Sequence, residues 1–327
     1  MFSIWDERIW LPEDVEWSDL KSNATATYPA PRDLVYSIIG GGILLVIRIL
    51  LESFVFLPIG WAMGFMQRPL FQAMYQHLTG GFSGKGKFKR VAECAWRATF
   101  YISAWIVGLV ILSSKDYFWD VTYCWRNWPY HNIPNSIWWY YMSETSFYWA
   151  LLIGTIFIDV KRADFWQMTL HHAITIGLLF ISWSMNMVRV GTLILFSHDA
   201  ADIILEIAKI VRYANWDRLL EILFVVLFLV WVGTRLVYYP FVILKSIWFD
   251  APALIKSSYK WSNFAQRPLM PRVLMVLLTL LLLLHLFWTF VLIKVAYNST
   301  REGKLDDVRE DDSDEEVDET TIAKKKE

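Results

Sequence analysis

Long apolar segments dominate the sequence and limit what it can fold into. Seven of them approach or exceed the roughly 20 residues that a helix needs to cross the hydrocarbon core of a bilayer. They lie near residues 35–62, 93–113, 136–158, 167–187, 190–211, 219–243 and 273–296. Only 19% of the residues are charged, whereas soluble proteins average about 25%. The sequence therefore predicts an all-α fold, a polytopic transmembrane helix bundle of about seven spans.

The stretches between the spans are too short to build a core of their own. We therefore expect one membrane domain, 35–297, between an N-terminal segment, 1–34, and a C-terminal tail, 298–327. The tail has six Lys or Arg against twelve Asp or Glu, a composition that predicts disorder.

The first 30 residues lack the apolar core of a cleavable signal peptide. Cys94 and Cys124 fall on opposite sides of the membrane and should not pair. No basic stretch accompanies a soluble fold, so no nucleic-acid partner is expected.

Basic residues in the short loops predict the orientation of the bundle. The loops 63–92, 159–166 and 212–218 all carry Lys and Arg, and they fall on one side of a seven-span arrangement. Cytosolic loops carry the excess of positive charge, so we expect a cytosolic C-terminus and a luminal N-terminus. One loop disagrees, because 244–272 should be luminal and yet is basic. Its cations are Lys245, Lys256, Lys260 and Arg267.

Three short motifs bear on location and modification. Asn23 begins a glycosylation sequon in the segment predicted to be luminal, whereas the sequon at Asn298 lies at the cytosolic membrane edge and should stay unmodified. The chain ends in three lysines and a glutamate, which resembles a dilysine signal for retrieval to the endoplasmic reticulum; the alternative is a lysine cluster for solubility. Ser313 is followed by Asp-Glu-Glu, which suits phosphorylation by an acid-directed kinase, and a plain solvated tail is the alternative.

Ionisable residues inside the predicted spans are the main functional signal. His171 and His172 lie in the fourth span, and the fifth contains His198, Asp199 and Asp202. Such residues at bilayer depth are costly and usually mark a functional site. An antiparallel pair of spans would bring the adjacent histidines to within about one turn of Asp202 in depth. A carboxylate beside an imidazole is a general acid–base arrangement, and a neutral imidazole can also attack an acyl group. A hydrogen-bonded packing pair is the alternative.

Other chemistry has weaker support in the residues. Arg48 and Glu52 are spaced i, i+4 in the first span and should form an ion pair that anchors that helix. Ser197 stands alone, without a Gly-x-Ser-x-Gly motif, and should bond to the helix backbone. Diiron lipid oxidases use about eight histidines, whereas this chain has six, of which only three cluster. A mononuclear metal site built from His171, His198 and Asp202 has no spacing signature, so no metal is predicted.

Several motifs together resemble the Lag-type motif of the TLC-domain ceramide synthases. The central ones are DVKRADF at 159–165, LHH at 170–172, NMVRVG at 186–191, HDAAD at 198–202 and EIAK at 206–209. Flanking stretches are similar too: KF at 87–88, WR at 96–97, WWYY at 138–141, TR at 234–235 and DDSDEE at 311–316. The resemblance covers most of residues 35–317. Many animal members carry a homeobox-like insert between the first two spans, where this chain has only about 30 residues, so it resembles the subset without that insert.

The resemblance implies a multi-pass enzyme of the endoplasmic reticulum that transfers a fatty acyl group from acyl-CoA to the amine of a sphingoid base. It implies His171 as the acyl acceptor, His172 as its partner, and Asp199 and Asp202 as the groups that orient the imidazole and receive the amine proton. It also implies substrate contacts from the same motifs, which are His198, Asn186, Arg189, Lys161 and Arg162. No cofactor is expected beyond acyl-CoA as co-substrate. The partners would be the two substrates, membrane lipids and a second subunit in a homodimer or heterodimer.

A double-chain lipid product needs a cavity in the membrane for its tails, so the bundle should enclose a lipid-chain cavity that opens to the cytosol. Five cations could dock the CoA phosphates at its mouth, although the positive bias of cytosolic loops explains them equally well: Lys85, Lys87, Lys89, Lys161 and Arg162. The segment Trp248–Arg267 is where the family suggests that acyl-chain length is read. The competing function is a non-enzymatic lipid-sensing or membrane-assembly protein of the same fold.

Overall fold

The computed structural model describes residues 5–63, 69–83 and 87–302. Seven long helices occupy the seven predicted segments. They are α1, Leu34–Leu51, which continues to Ala62; α2, Lys87–Leu112; α3, Asn135–Phe157; α4, Phe165–Ser184; α5, Val188–Tyr213; α6, Asp217–Trp231, which continues to Ile255; and α7, Leu269–Glu302. Shorter helices cover Glu7–Trp10 and Leu70–Leu78. No strand occurs in these ranges, which confirms the all-α prediction.

Four of the long helices are long and apolar enough to cross a membrane: Pro31–Ala62, Phe88–Leu112, Asp217–Ile255 and Leu269–Arg301. The helices α3, α4 and α5 are more polar, and many of their polar side chains are buried inside the bundle. A membrane helix tolerates such residues when they face the protein interior. The structure thus confirms a multi-pass helical membrane protein, and the count of seven spans stays a prediction.

Six of the helices form a closed ring. Going around it, α2 packs against α3, α3 against α4, α4 against α7, α7 against α6, α6 against α5, and α5 against α2. The first helix, α1, lies outside this ring and packs along α3. A ring of six helices leaves room for a central cavity, and the cavity described below lies inside it.

Glycine allows α1 to approach α3 closely. A Cβ atom at Gly41 would come within 2.7 Å of the Cβ of Trp149 and 3.1 Å of the backbone oxygen of Ser146. Small residues at a membrane helix interface permit this distance, and the van der Waals contact that follows is a main source of helix association in lipid. The packing of α1 on α3 therefore depends on the missing side chain at Gly41.

A buried ionic cluster anchors the end of α1 that carries Arg48 and Glu52. The Arg48 Nε lies 2.8 Å from Glu52 Oε1, which confirms the predicted ion pair, and Arg48 also reaches Asp159 at 2.6 Å. Although burial raises the pKa of Asp159, the guanidinium groups of Arg48 and Arg97 hold it below its usual value. Lys89 belongs to the same cluster: it is 3% exposed and lies 3.3 Å from Glu52. Because Lys89 is buried in this cluster and does not line the cavity described below, the structure disfavours it as a cation that docks CoA phosphates.

The loops at the opposite end of the bundle are held to the N-terminal segment. The Thr27 N–H donates to the side-chain oxygen of Asn132, and the Thr27 carbonyl accepts from the N–H of Ile133. The Trp183 indole donates to the carbonyl of Ala30. His131 in the same region is buried, and its Nε2 donates to the carbonyl of Arg126. These contacts place residues 5–33, the loop 113–134 and the turn between α4 and α5 at one end, as an alternating path through a membrane requires.

The basic loop 244–272 also lies at this end. The helix α6 runs to Ile255, twelve residues beyond the predicted boundary, because apolar residues such as Trp248 continue to pack against the bundle. Lys256 forms ion pairs with Glu13 and Asp14 of the N-terminal segment. Arg267 is buried and donates to the carbonyl of Trp248. Because Lys256 and Arg267 have partners within the protein, positive charge is stabilised on the side of the membrane where the excess of Lys and Arg is not expected.

Some of the sequence predictions lie outside the described residues. These are the basic residue Lys85, the phosphorylation site at Ser313, the acidic part of the tail and the terminal lysines. The two cysteines, Cys94 and Cys124, are buried and free, as expected. Asn23 is exposed, and its side-chain oxygen accepts hydrogen bonds from Thr25 and Ala26.

Candidate active site

A cavity of about 210 Å³ lies inside the six-helix ring, and all six helices line it. His171 and His172 from α4 and Asp202 from α5 face this cavity. The two histidines come six and seven residues after the first residue of α4, or roughly 10 Å along its axis. Asp202 comes eleven residues before the end of α5. The structure therefore brings the predicted histidines and one of the two predicted aspartates into a single chamber.

Aromatic rings hold the histidine pair in place. The His171 ring meets the Trp288 ring edge to face, with centroids 5.3 Å apart, and His172 meets Tyr148 at 6.3 Å. The two imidazoles are 5.4 Å apart. In the described part of the chain, the Nδ1 atoms of both histidines are buried without a hydrogen-bond partner. The pair is thus positioned by packing, and a ring nitrogen of each imidazole is left uncommitted.

Asp202 is bound by an arginine rather than by either histidine. Both of its oxygens accept hydrogen bonds from Nη2 of Arg235, at 3.0 and 2.9 Å. Among the described residues, no hydrogen bond joins Asp202 to His171 or His172. The expectation that this carboxylate directly orients the imidazole is therefore not met in the structure. What the structure shows is a carboxylate, held by a guanidinium, in the wall of the chamber that contains the histidines.

Arg235 also connects the site to a second histidine pair. Its Nη2 donates to the carbonyl of His198, and its Nη1 lies 3.2 Å from Nε2 of His285. The Nε2 atoms of His198 and His285 are 3.2 Å apart, and Nδ1 of His198 donates to the carbonyl of Ile194. The sequence grouped only three histidines, and His285 of α7 is a fourth.

These contacts bear on the metal alternative. Within the described ranges, no group of three or more His, Cys, Asp or Glu is arranged to hold a metal ion. The guanidinium of Arg235, placed between His285 and Asp202, also disfavours a second cation there, because like charges repel at short range. The serine beside His198 behaves as expected: Ser197 donates to the carbonyl of Ile194.

Asp199 lies away from the chamber. It is fully buried, and among the described residues neither of its carboxyl oxygens has a hydrogen-bond partner. Asp199 lines neither the histidine chamber nor the second cavity described below. The i, i+3 spacing suggested that Asp199 and Asp202 share one inward face, and the structure separates them because α5 is covered by helices on several sides.

The mouth of the chamber is lined by paired charges. Arg97 lies 3.3 Å from Asp159 and 3.3 Å from Glu206, and Lys209 lies 2.8 Å from Glu206. Of the cations predicted to bind substrate, Arg162 lines this mouth. Lys161 is exposed, and its Nζ lies 5.0 Å from the Phe165 ring centre. The mouth is thus a polar entrance with cations from three parts of the chain.

A second, narrower cavity of about 40 Å³ begins at His171 and His198. Leucines dominate its walls, contributed by α4, α5 and α7: Leu178, Leu179, Leu195, Leu274, Leu278 and Leu281. Tyr141, Ser182 and Gly191 line it too, and the Tyr141 hydroxyl lies 2.7 Å from Ser182 Oγ. From His171 to Ser182 the helix rises about 16 Å. This narrow apolar cavity shares His171 with the histidine chamber.

Two residues predicted to contact substrate lie at the far end of the bundle. The Asn186 amide donates to the carbonyls of Pro129 and His131, and its φ of 55° forms the turn between α4 and α5. Arg189 donates to the carbonyl of Tyr123. Neither residue lines the cavities described above. Both residues instead fix a loop to the bundle. Arg189 lies about 20 Å from Asp202 along α5, at the rise of an α-helix.

Sequence reasoning missed several residues of the site. Arg235 and Arg97 appeared only as parts of short resembling stretches, without a role. His285 was visible as one polar residue in a leucine-rich span, and an intramembrane histidine is itself a functional signal. Trp288 gave no signal, because an aromatic residue in an apolar helix has many ordinary explanations.

Taken together, the fold and the site define a multi-pass membrane protein with a histidine and carboxylate chamber that has a charged mouth and lies next to an apolar cavity. Comparison with known proteins agrees. The family described as TLC domain matches residues 90–294, and the chain belongs to this family, among the ceramide synthases.

Three relatives illustrate the similarity. Ceramide synthase hyl-2 of Caenorhabditis elegans is 46% identical over 309 residues, which cover 94% of this chain and 92% of the relative. Ceramide synthase hyl-1 of the same organism is 41% identical, covering 95% and 84%. Human ceramide synthase 5 is 33% identical, covering 98% and 90%. All three relatives are named ceramide synthases, and this chain is an acyltransferase of that family.

Proposed function

We propose that the chain transfers a fatty acyl group from acyl-CoA to the amine of a sphingoid base, forming a ceramide or dihydroceramide through an acyl-histidine intermediate. One observation carries this proposal: His171 and His172 line a chamber that has a charged mouth at one end and an apolar cavity at the other. A fatty acyl-CoA has the same two ends, a phosphorylated head and an alkyl tail, with the reactive thioester between them.

The shape of the chamber suggests how acyl-CoA binds. The phosphates would meet the cations of the mouth, Arg97, Arg162 and Lys209, because guanidinium and ammonium groups bind phosphate oxygens. The alkyl tail would enter the leucine-lined cavity that begins at His171. Burial of apolar surface favours this pose by about 0.8 kcal/mol for each methylene. The thioester would then lie beside the histidine pair.

The chemistry follows from this position. A neutral imidazole nitrogen of His171 attacks the thioester carbon, the C–S bond breaks, and the CoA thiolate leaves with the electron pair. The sphingoid amine then attacks the acyl-imidazole, the C–N bond to the ring breaks, and an amide forms. Asp202, held by Arg235, is a carboxylate of the chamber that can receive the amine proton. His172 would be the partner that steadies the charged ring.

Trp288 supplies a candidate donor to the reacting carbonyl. Its ring packs against His171, and in the described residues its buried indole N–H has no hydrogen-bond partner. A preorganised donor that meets the oxygen on which charge develops lowers the barrier of acyl transfer. We infer that this N–H is kept for the substrate oxygen.

We also propose the cellular arrangement that this reaction requires. The protein would lie in the endoplasmic reticulum membrane with its N-terminus in the lumen and its C-terminus in the cytosol, because acyl-CoA arrives from the cytosol. The mouth of the chamber lies at the end that carries Arg162 and Lys209, opposite the N-terminal segment. Membrane lipids surround the bundle, and assembly into a homodimer or heterodimer stays a prediction.

The proposal is tested with purified protein, a labelled acyl-CoA and a sphingoid base. Wild type should form labelled ceramide, and His171→Ala and His172→Ala should lose at least a hundredfold in kcat, because a covalent route loses its nucleophile or its partner. Leu170→Ala is the matched control, since Leu170 precedes the pair and is exposed. Equal product from wild type and both histidine variants would instead favour a non-enzymatic lipid-binding protein of the TLC fold.

A further inference from the structure

The short helix Leu70–Leu78 lies between α1 and α2 in the chain. Successive residues of an α-helix turn by about 100° around its axis, and this spacing sorts the side chains of the short helix into three faces. We call them the buried face, the polar face and the apolar face, and both the polar and the apolar face are exposed. In that order, they are formed by Ala73 and His77, by Gln72 and Gln76, and by Phe71, Tyr75 and Leu78.

The buried face fixes the short helix to the bundle. The Nε2 atom of His77 lies 3.1 Å from Glu52 Oε2, and the His77 ring meets that of Phe88 edge to face, with centroids 5.8 Å apart. Glu52 is paired with Arg48, which in turn reaches Asp159 at the mouth of the chamber. The short helix therefore lies at the end of the bundle that carries the mouth, and its contact with Glu52 determines where the other two faces point.

The apolar face has little protein cover. Phe71 is 84% exposed, the largest exposed fraction among the large apolar side chains of the described ranges, and Tyr75 is 69% exposed. The stretch 69–83 contains no Asp, Glu, Lys or Arg. Exposed rings in an uncharged segment are poorly suited to water, because apolar surface in contact with water is unfavourable. The composition and the exposure of this face therefore point to an apolar partner.

Other exposed aromatic residues mark the level of the membrane surface at the same end of the bundle. They lie near the end of α1, at the start of α4 and near the end of α7: Trp61, Trp166 and Tyr297. Trp and Tyr are enriched where the hydrocarbon core meets water. In the sequence, the short helix is flanked by basic residues, Arg68 before it and Lys85 and Lys87 after it, and such residues are attracted to anionic lipids. The apolar face thus continues a belt of interfacial side chains.

We propose that the short helix Leu70–Leu78 lies in the interface of the membrane in which the bundle is embedded, with its apolar face inserted among the lipids and its polar face in water. An amphipathic helix in the plane of the interface buries its apolar side at the boundary between headgroups and acyl chains. A helix at this boundary that also packs on a protein needs three faces, one each for protein, lipid and water, and the short helix has these three. The proposal holds whether or not the proposed acyl transfer is correct.

Electron paramagnetic resonance of nitroxide labels tests this on the full chain, reconstituted in vesicles of phosphatidylcholine and phosphatidylserine. Phe71→Cys and Tyr75→Cys place the label on the apolar face, and Gln72→Cys and Gln76→Cys are the matched controls on the polar face. Oxygen concentrates in the hydrocarbon, whereas a water-soluble nickel chelate is excluded from it. The ratio of oxygen to nickel collision rates should therefore be severalfold higher for labels on the apolar face than for labels on the polar face.

Wild type, whose Cys94 and Cys124 are buried, gives the labelling background that is subtracted. Equal ratios on the two faces would overturn the proposal, whether water or lipid surrounds the helix. Low access of both reagents to the apolar face would overturn it as well, because protein would then cover that face; dipolar broadening between labels would identify this protein as a second copy of the chain. The two apolar positions are read independently, so either one decides the question if the other variant fails to fold.

Discussion

Substituting either partner of the contact between Asp202 and Arg235 should destabilise the protein, and the two single effects should not add. Arg235 is 3% exposed, and both Asp202 oxygens accept from its guanidinium. Removing one member of a buried pair costs about 3–5 kcal/mol, because an unpaired charge stays behind. Asp202→Asn keeps an acceptor for Arg235 and should cost about 2 kcal/mol, since a neutral hydrogen bond is about half as strong as a charged one. Arg235→Gln also breaks the contacts to His198 and His285, so its cost should fall in the full range for a broken buried pair.

The double variant makes these numbers testable. If the charges interact as the distances indicate, Asp202→Asn combined with Arg235→Gln should be about 2 kcal/mol more stable than the sum of the single effects, because contacting charges are not additive. The assay is thermal unfolding of purified protein in detergent, in which each kcal/mol corresponds to roughly 2–4 °C.

A second cycle serves as the control. The ion pair of Lys256 with Glu13 is exposed, and exposed pairs contribute about 0–1 kcal/mol. Its double variant, Lys256→Met with Glu13→Gln, should therefore be nearly additive. Strict additivity at Asp202 and Arg235 as well would refute the claim that the guanidinium holds this carboxylate.

Four shorter predictions follow from other parts of the structure. Gly41→Val should lower the melting temperature by several degrees, since overpacking costs about 1–3 kcal/mol; an unchanged value would mean that α1 does not pack closely on α3. Burial lowers the pKa of His131 from 6.5 to about 4, so the unfolded chain binds more protons between these values. Stability should fall as the pH drops from about 6.5 to 4, by up to about 3 kcal/mol, and His131→Gln should flatten that slope in unfolding curves. Treatment with an N-glycosidase should shift wild type and Asn298→Gln on a gel but leave Asn23→Gln unchanged; a shift that only Asn298→Gln abolishes would reverse the proposed orientation. Trp288→Phe keeps the ring and removes the N–H, so kcat should fall roughly tenfold to a hundredfold, and an unchanged kcat would exclude the indole as a donor.

The helices were predictable because their signal is local. The apolar length of each segment is set by the thickness of a bilayer, so seven stretches of sequence could be matched to seven long helices without knowledge of their packing. Boundaries were less predictable. The helix α6 extends to Ile255 because the apolar neighbours of Lys245 stay buried while Lys245 itself remains exposed on the helix surface. A prediction that assigns every cluster of cations to a loop cannot distinguish an exposed lysine on a helix from a lysine in a loop.

The contents of the chamber were predictable in part. The energetic cost of ionisable side chains at bilayer depth singled out His171, His172 and Asp202, and these three residues line one chamber. The same reasoning could not separate Asp199 from Asp202, because helical spacing does not reveal which neighbouring helix covers each face. Arg235 and His285 join the site from helices remote in sequence. Their meeting depends on the order of helices around the ring, and no pattern within a single segment specifies that order.

The central claim is that a histidine of α4 becomes acylated. Purified protein incubated with acyl-CoA alone, without a sphingoid base, should gain the mass of one acyl group on the peptide that contains His171 and His172, and the adduct should disappear when the base is added. His171→Ala should prevent its formation. Ceramide production by the same preparation with no adduct at any time, or an adduct that survives both alanine substitutions, would contradict the mechanism.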